Sequence, residues 1–175
     1  AGLGITEAAL IMQTVSASGA GFSGASAIHM NVFGLNPVVV FGNEAQQAAA
    51  LPPLIAGHEK ACFAVTEPDA GSDVKGMRTT ARREGDHYIV DGSKQFISGA
   101  GENEVYVTMV RTGDDGARGI SCVVIEKDMP GVTFGANERK LGWHSQPTRQ
   151  VTFDNVRVPV ANRVGAEGEG FRFAM

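Results

Sequence analysis

The pattern of apolar and polar positions changes near residue 60. Residues 1–60 are alanine-rich and helix-like, whereas 61–160 read as short apolar strands separated by turn residues. In the first part, Thr6 is placed to cap a helix through Ala8, Leu10, Ile11 and Met12 that ends near Gly19. Residues 25–33 predict a second helix, closed by Gly34, and Asn36-Pro37 starts a third with proline as its first helical residue. Asn43 caps a fourth over 44–51, which Pro52 and Pro53 are expected to interrupt before it restarts over 54–57.

In the second part the predicted strands are residues 61–66, 78–84, 87–91, 94–98, 104–111, 119–126, 148–153 and 156–158. Gly85-Asp86 is a hairpin signal between the second and third. Asp91-Gly92 and Asp114-Asp115-Gly116 read as turns, and Pro159 ends the last strand. This texture predicts antiparallel pairing in a barrel or sandwich. The fold class is α+β: a partial N-terminal helical domain over 1–60, a middle β domain over 61–167, and over 168–175 the start of a C-terminal helical domain. A single helix begun at Gly170 cannot bury an apolar face, so further helices are expected beyond residue 175.

Charge and composition exclude several classes. The formal net charge is −4 and no basic cluster is visible, so duplex nucleic acid is not an expected partner. No apolar run reaches the ~18 residues of a membrane span, so none is expected. The two cysteines, Cys62 and Cys122, lie in apolar strands outside any ligand spacing, and the four histidines are scattered. Buried reduced thiols and no metal are the expectation.

Chemistry is concentrated in two segments. Residues 62–73 and 92–101 each start as a strand and end in a loop rich in glycine and hydroxyls, and Thr66 lies 30 residues before Phe96. Strand ends with free N–H groups, an aromatic and Ser/Thr hydroxyls suit a flat, polar, phosphate-bearing cofactor. Thr66 sits where N–H and hydroxyl both face a ligand. Ser72 follows a glycine that permits close backbone approach, and Phe96 beside Ser98 can flank a ring system. Glu67, fixed by Pro68, and Asp73 read as structural. Gly19-Ala20-Gly21-Phe22-Ser23-Gly24 matches G-x-G-x-x-G, but the fingerprint needs a preceding strand and residues 6–17 look helical, so it reads as a helix connection. Trp143 and His144 read as a structural loop, with no Ser or Asp partner for a basic histidine.

Four strings together resemble the acyl-CoA dehydrogenase family: Phe63-Ala64-Val65-Thr66-Glu67-Pro68 with Gly71-Ser72-Asp73, Asp91-Gly92-Ser93-Lys94 with Ile97-Ser98, residues 153–159, and residues 165–171. The middle strings are similar to short branched-chain members. The resemblance implies FAD as cofactor, an acyl-CoA substrate, an electron-transfer flavoprotein as acceptor and a homotetramer. By motif it implies flavin contacts from Phe63, Ala64, Val65, Thr66, Phe96, Ile97 and Ser98, with Ser72 at the FAD pyrophosphate and at the thioester arm of the substrate. Phe96 stands where the family commonly has Trp, Ser98 where it has Thr, and Asp69 where it has Gly. The first enlarges the space beside the ring.

The reaction so implied is α,β-dehydrogenation of an acyl-CoA to a 2-enoyl-CoA, with the catalytic base outside this chain, which alone is then expected to be inactive. A flavin-dependent monooxygenase or oxidase on the same scaffold, and a non-catalytic flavin- or CoA-binding module, are the alternatives. The compartment follows the source: cytoplasm in a bacterium, mitochondrial matrix in a eukaryote.

Overall fold

The computed structural model describes residues 2–114 and 116–175. The expected turn at Asp114-Asp115-Gly116 therefore falls partly outside the described residues, at Asp115. Five helices and eight strands follow in order: α1 (Ile5–Val15), α2 (Gly21–Gly34), α3 (Asn36–Phe41), α4 (Glu44–Ile55), β1 (Ala61–Ala64), β2 (Thr80–Glu84), β3 (His87–Ser98), β4 (Val105–Arg111), β5 (Ile120–Glu126), β6 (Val132–Phe134), β7 (Thr148–Pro159), β8 (Arg163–Val164) and α5 (Gly170–Ala174).

The helical half departs from the sequence expectation in three respects. Helix α1 starts one residue before Thr6: Gly4 is its N-cap, and its N–H donates to Glu7 Oε2 at 2.7 Å. Helix α4 runs unbroken through Pro52 and Pro53. Each proline removes the N–H that would reach the carbonyl four residues back and crowds that carbonyl with its ring, but the residues that carry those carbonyls, Ala48 and Ala49, are exposed. Pro52 is exposed, so solvent can satisfy them, and Asn43 accepts from the Gln46 N–H as expected. The helical run Ile5–Phe41 is long and apolar enough by composition to cross a membrane, contrary to the expectation of no such run. It is broken at Gly19 (φ 101°), and Ser26, Met30 and Gly34 of α2 are buried. Gly34 touches the first strand: a Cβ there would stand 2.8 Å from the Ala61 carbonyl oxygen.

The β half is one mostly antiparallel sheet with strand order β6-β7-β3-β2-β4-β5-β8. Two pairings are parallel, against expectation: β1 lies along β4 from Ala61↔Val105 to Ala64↔Thr108, and Thr80 meets Arg111. The hairpin across Gly85 forms as read, with Glu84 opposite His87. Asp91-Gly92 is not a turn. β3 continues through it with a register shift, Gly92 lying so close to Thr79 that a Cβ would meet its Cα at 2.7 Å. Residues 148–153 and 156–158 likewise form one strand. Asn155 (φ 54°) takes up the extra length and donates its N–H to Asp91 Oδ1. β6 and β8, three and two residues long, were below what the pattern resolves.

Strand β4 is buried from Val105 to Val110 because each face covers a core. Tyr106 and Val110 join Cys62, Ala64, Val123 and Ile125 on one side. Val105, Val107 and Met109 join Ala61, Leu35, Val38 and Phe173 on the helix side. Strand alternation therefore sends Ala64 away from the helices and Phe63 and Val65 toward them. Both cysteines are free and buried, and burial pushes the Cys62 thiol up to about 12, as expected of an inert thiol.

Candidate functional site

The ends of β1 and β3 converge beneath α2. The Gln95 N–H donates to the Thr66 carbonyl at 2.7 Å. In β3 the pairing skips from Lys94↔Val151 to Ile97↔Arg149, a bulge that puts Phe96 at φ 58°. A non-glycine residue there is strained by about 1 kcal/mol. The bulge turns the ring outward, leaving Phe96 60% exposed while Ile97 stays buried.

The result is a pocket of about 280 Å³ lined by Phe63, Val65, Thr66, Phe96, Ile97 and Ser98 from the strand ends. His29, Met30 and Phe33 of α2, Trp143, and Ala174 of α5 complete it. Phe33 meets Phe63 edge-on at 4.8 Å between centroids. Trp143 (φ 59°) donates its indole N–H to Ser26 Oγ at 3.1 Å and packs against Phe22. Thr66 and Ser98 hydroxyls make no hydrogen bond among the described residues. An apolar, aromatic-walled slot with two free hydroxyls on its rim suits a planar ring system with polar edges.

Six of the eight residues singled out in the sequence thus line one pocket. Ala64 does not: its side chain lies in the opposite core. Ser72 lies on an exposed turn outside the lining, and open space surrounds Gly71 before it. Larger depressions occur elsewhere, of about 350 Å³ between α4 and β4–β5 and about 680 Å³ beside Arg111, but neither is lined by residues of both the 62–73 and 92–101 segments.

Sequence reasoning missed the pocket's helical wall and Trp143. It also left out Lys94, which lies beneath the strand ends. Lys94 is fully buried, and Nζ donates to Glu67 Oε1 at 2.8 Å and to the Val65 carbonyl at 3.2 Å. Glu67 also accepts from the Arg78 and Thr79 N–H groups at 2.6 and 2.9 Å. Burial alone would raise its carboxyl, but Lys94 and these donors outweigh that and hold it below its ordinary value. Burial lowers Lys94 from its ordinary value, against the upward pull of Glu67. A lysine inside an apolar strand, two residues before an outward aromatic, was the available signal.

Comparison with known proteins agrees with this architecture. The family model "Acyl-CoA dehydrogenase, N-terminal domain" matches residues 1–58, and "Acyl-CoA dehydrogenase, middle domain" matches residues 62–156. The chain belongs to the acyl-CoA dehydrogenase family. It is 45% identical over 175 residues to mitochondrial isobutyryl-CoA dehydrogenase of Dictyostelium discoideum, covering 99% of this chain and 42% of that protein. To the Bos taurus protein of the same name it is 54% identical over 135 residues, 77% of this chain and 32% of that one. The solved structure of an acyl-CoA dehydrogenase complexed with FAD from Bacillus anthracis superimposes with a TM-score of 0.90 at 34% identity, over 99% of this chain and 30% of the other. The chain thus spans less than half the length of these relatives.

Proposed function

We propose that the full-length protein is an FAD-dependent dehydrogenase that converts a short, branched acyl-CoA to its 2-enoyl-CoA. The observation that carries this is the pocket where both strand ends place an outward aromatic and two unpartnered hydroxyls against an apolar wall. Its residues suit an isoalloxazine. Phe96, Phe63 and Val65 supply flat apolar contact, Ile97 supports the bulge from inside, and Thr66 and Ser98 can donate to a ring's polar edge. Ala64 contributes backbone only. The exposed Ser72 hydroxyl, on a turn with open space at Gly71, is assigned to the FAD pyrophosphate and the thioester arm.

When bound, FAD supplies the acceptor for the hydride that leaves the substrate β-carbon. The α-proton goes to a carboxylate outside residues 1–175. The residues present would bind and orient: the aromatic wall excludes water from the slot.

The branched substrate follows from the likeness to proteins named isobutyryl-CoA dehydrogenase. The proposal also includes domains over 1–60, 61–167 and 168–175, an electron-transfer flavoprotein as acceptor and a homotetramer. The compartment is the mitochondrial matrix in a eukaryote and the cytoplasm in a bacterium. The test is product analysis: full-length protein, isobutyryl-CoA and an artificial electron acceptor, followed by mass spectrometry of the CoA pool. Loss of two hydrogens supports the reading; an unchanged or oxygenated acyl-CoA refutes it.

A further inference from the structure

Three chain segments meet at one buried ion pair. Glu67 lies just past β1, where Pro68 follows it and its own N–H and carbonyl are closed on Ala70. Its two carboxylate oxygens take the Arg78 and Thr79 N–H groups that lead into β2. Lys94 reaches it from β3, one residue before the bulge, and also holds the Val65 carbonyl. The side chains are 7% and 0% exposed, and neither lines the pocket. A buried pair is weak evidence for net stability, since apolar residues of similar size often serve as well. Directional bonds to backbone are different: they fix where the chain runs.

We propose that the Lys94–Glu67 pair is a positioning device that sets the spacing between the Val65–Thr66 strand end and the Phe96–Ser98 bulge, and so the fit of the flavin ring between them. This rests on the flavin reading. Lys94 holds Val65, the residue before Thr66, and sits two residues before Phe96. One side chain therefore indexes both walls of the slot. Among the described residues, the Gln95–Thr66 bond is the one direct backbone–backbone tie between the two ends. Without Lys94 the ends keep that bond but can pivot about it.

The test uses the full-length protein purified with FAD. Lys94→Met leaves Glu67 charged and buried, so lost stability alone would say little. The paired change Lys94→Met with Glu67→Leu removes both charges. It is expected to melt near the wild-type temperature yet bind FAD at least tenfold more weakly, with a shifted visible flavin spectrum and a lowered kcat. Lys94→Arg, which keeps charge and donors, is expected to recover part of the spectrum. Should the paired variant not fold, Glu67→Gln carries the same readouts: it keeps an acceptor for Lys94 at reduced strength and is expected to shift the spectrum in the same direction. A paired variant, or failing that Glu67→Gln, with wild-type FAD affinity, spectrum and kcat overturns the proposal. Wild-type protein that binds no FAD overturns the flavin reading itself, a result distinct from a wild-type-like variant.

Discussion

The Gln95 N–H donates to the Thr66 carbonyl at 2.7 Å, so the two strand ends that carry the pocket's hydroxyls are joined directly to each other. They come from strands that are not neighbours: in the sheet, β2 and β4 lie between β3 and β1. The bond lets Thr66 and Ser98 face one slot.

Phe96 separates fold from site. Its φ of 58° is strained and its ring is largely exposed, so the folded chain gains little from it. Phe96→Gly is expected to leave thermal stability unchanged or raise it by up to about 1 kcal/mol. The same change is expected to weaken FAD binding about tenfold, which is about 1.4 kcal/mol. Melting curves of the apoprotein and flavin fluorescence titration check both halves.

The hydroxyls of Thr66 and Ser98 make no hydrogen bond among the described residues. Thr66→Ala and Ser98→Ala should each alter stability by less than about 0.5 kcal/mol while slowing flavin reduction by substrate. Ser98→Thr, which keeps the hydroxyl, should retain the rate. Melting temperatures together with single-turnover rates check this.

Gly34 sets the distance between helix α2 and strand β1. A methyl there would stand 2.8 Å from the Ala61 carbonyl oxygen. Gly34→Ala must push the helix outward and carry Phe33 away from Phe63. A loss of about 1–3 kcal/mol is expected, with weaker FAD retention. Chemical denaturation of the full-length protein measures the first and gel filtration of the holoenzyme the second.

Glu67 gives an acid limb to stability. Its carboxyl is held below the ordinary value of 4.5, so folding favours the ionised form. That stabilisation is complete above pH 4.5 and is lost as the pH falls through the lower folded value. The groups facing it are the Lys94 ammonium and the Arg78 and Thr79 N–H groups. Melting temperature followed downward from neutral pH should fall less steeply below 4.5 in Glu67→Gln than in the wild type.

Much of this was legible in the sequence, and the misses share physical causes. The hairpin at Gly85, the cap at Asn43 and the two strand-end motifs are local, so local chemistry revealed them. The run through Pro52-Pro53 was misjudged because a helix with an exposed face tolerates two missing donors. The Asp91-Gly92 turn was misjudged because a bulge and a turn share residue types. The parallel lie of β1 along β4 is a tertiary fact with no local signature. Trp143, His29 and Phe33 reach the pocket from segments well separated in sequence from the motifs' own strands, so no spacing argument could recruit them. Lys94 was quoted only as part of a motif string, because its burial against Glu67 is a tertiary contact 27 residues away in sequence.

The most direct measurement is an anaerobic titration of the full-length protein, purified with its flavin, with isobutyryl-CoA and then butyryl-CoA while the visible flavin absorbance is followed. Bleaching by isobutyryl-CoA at lower concentration than by butyryl-CoA is the predicted result. Bound flavin that no acyl-CoA bleaches would contradict the account.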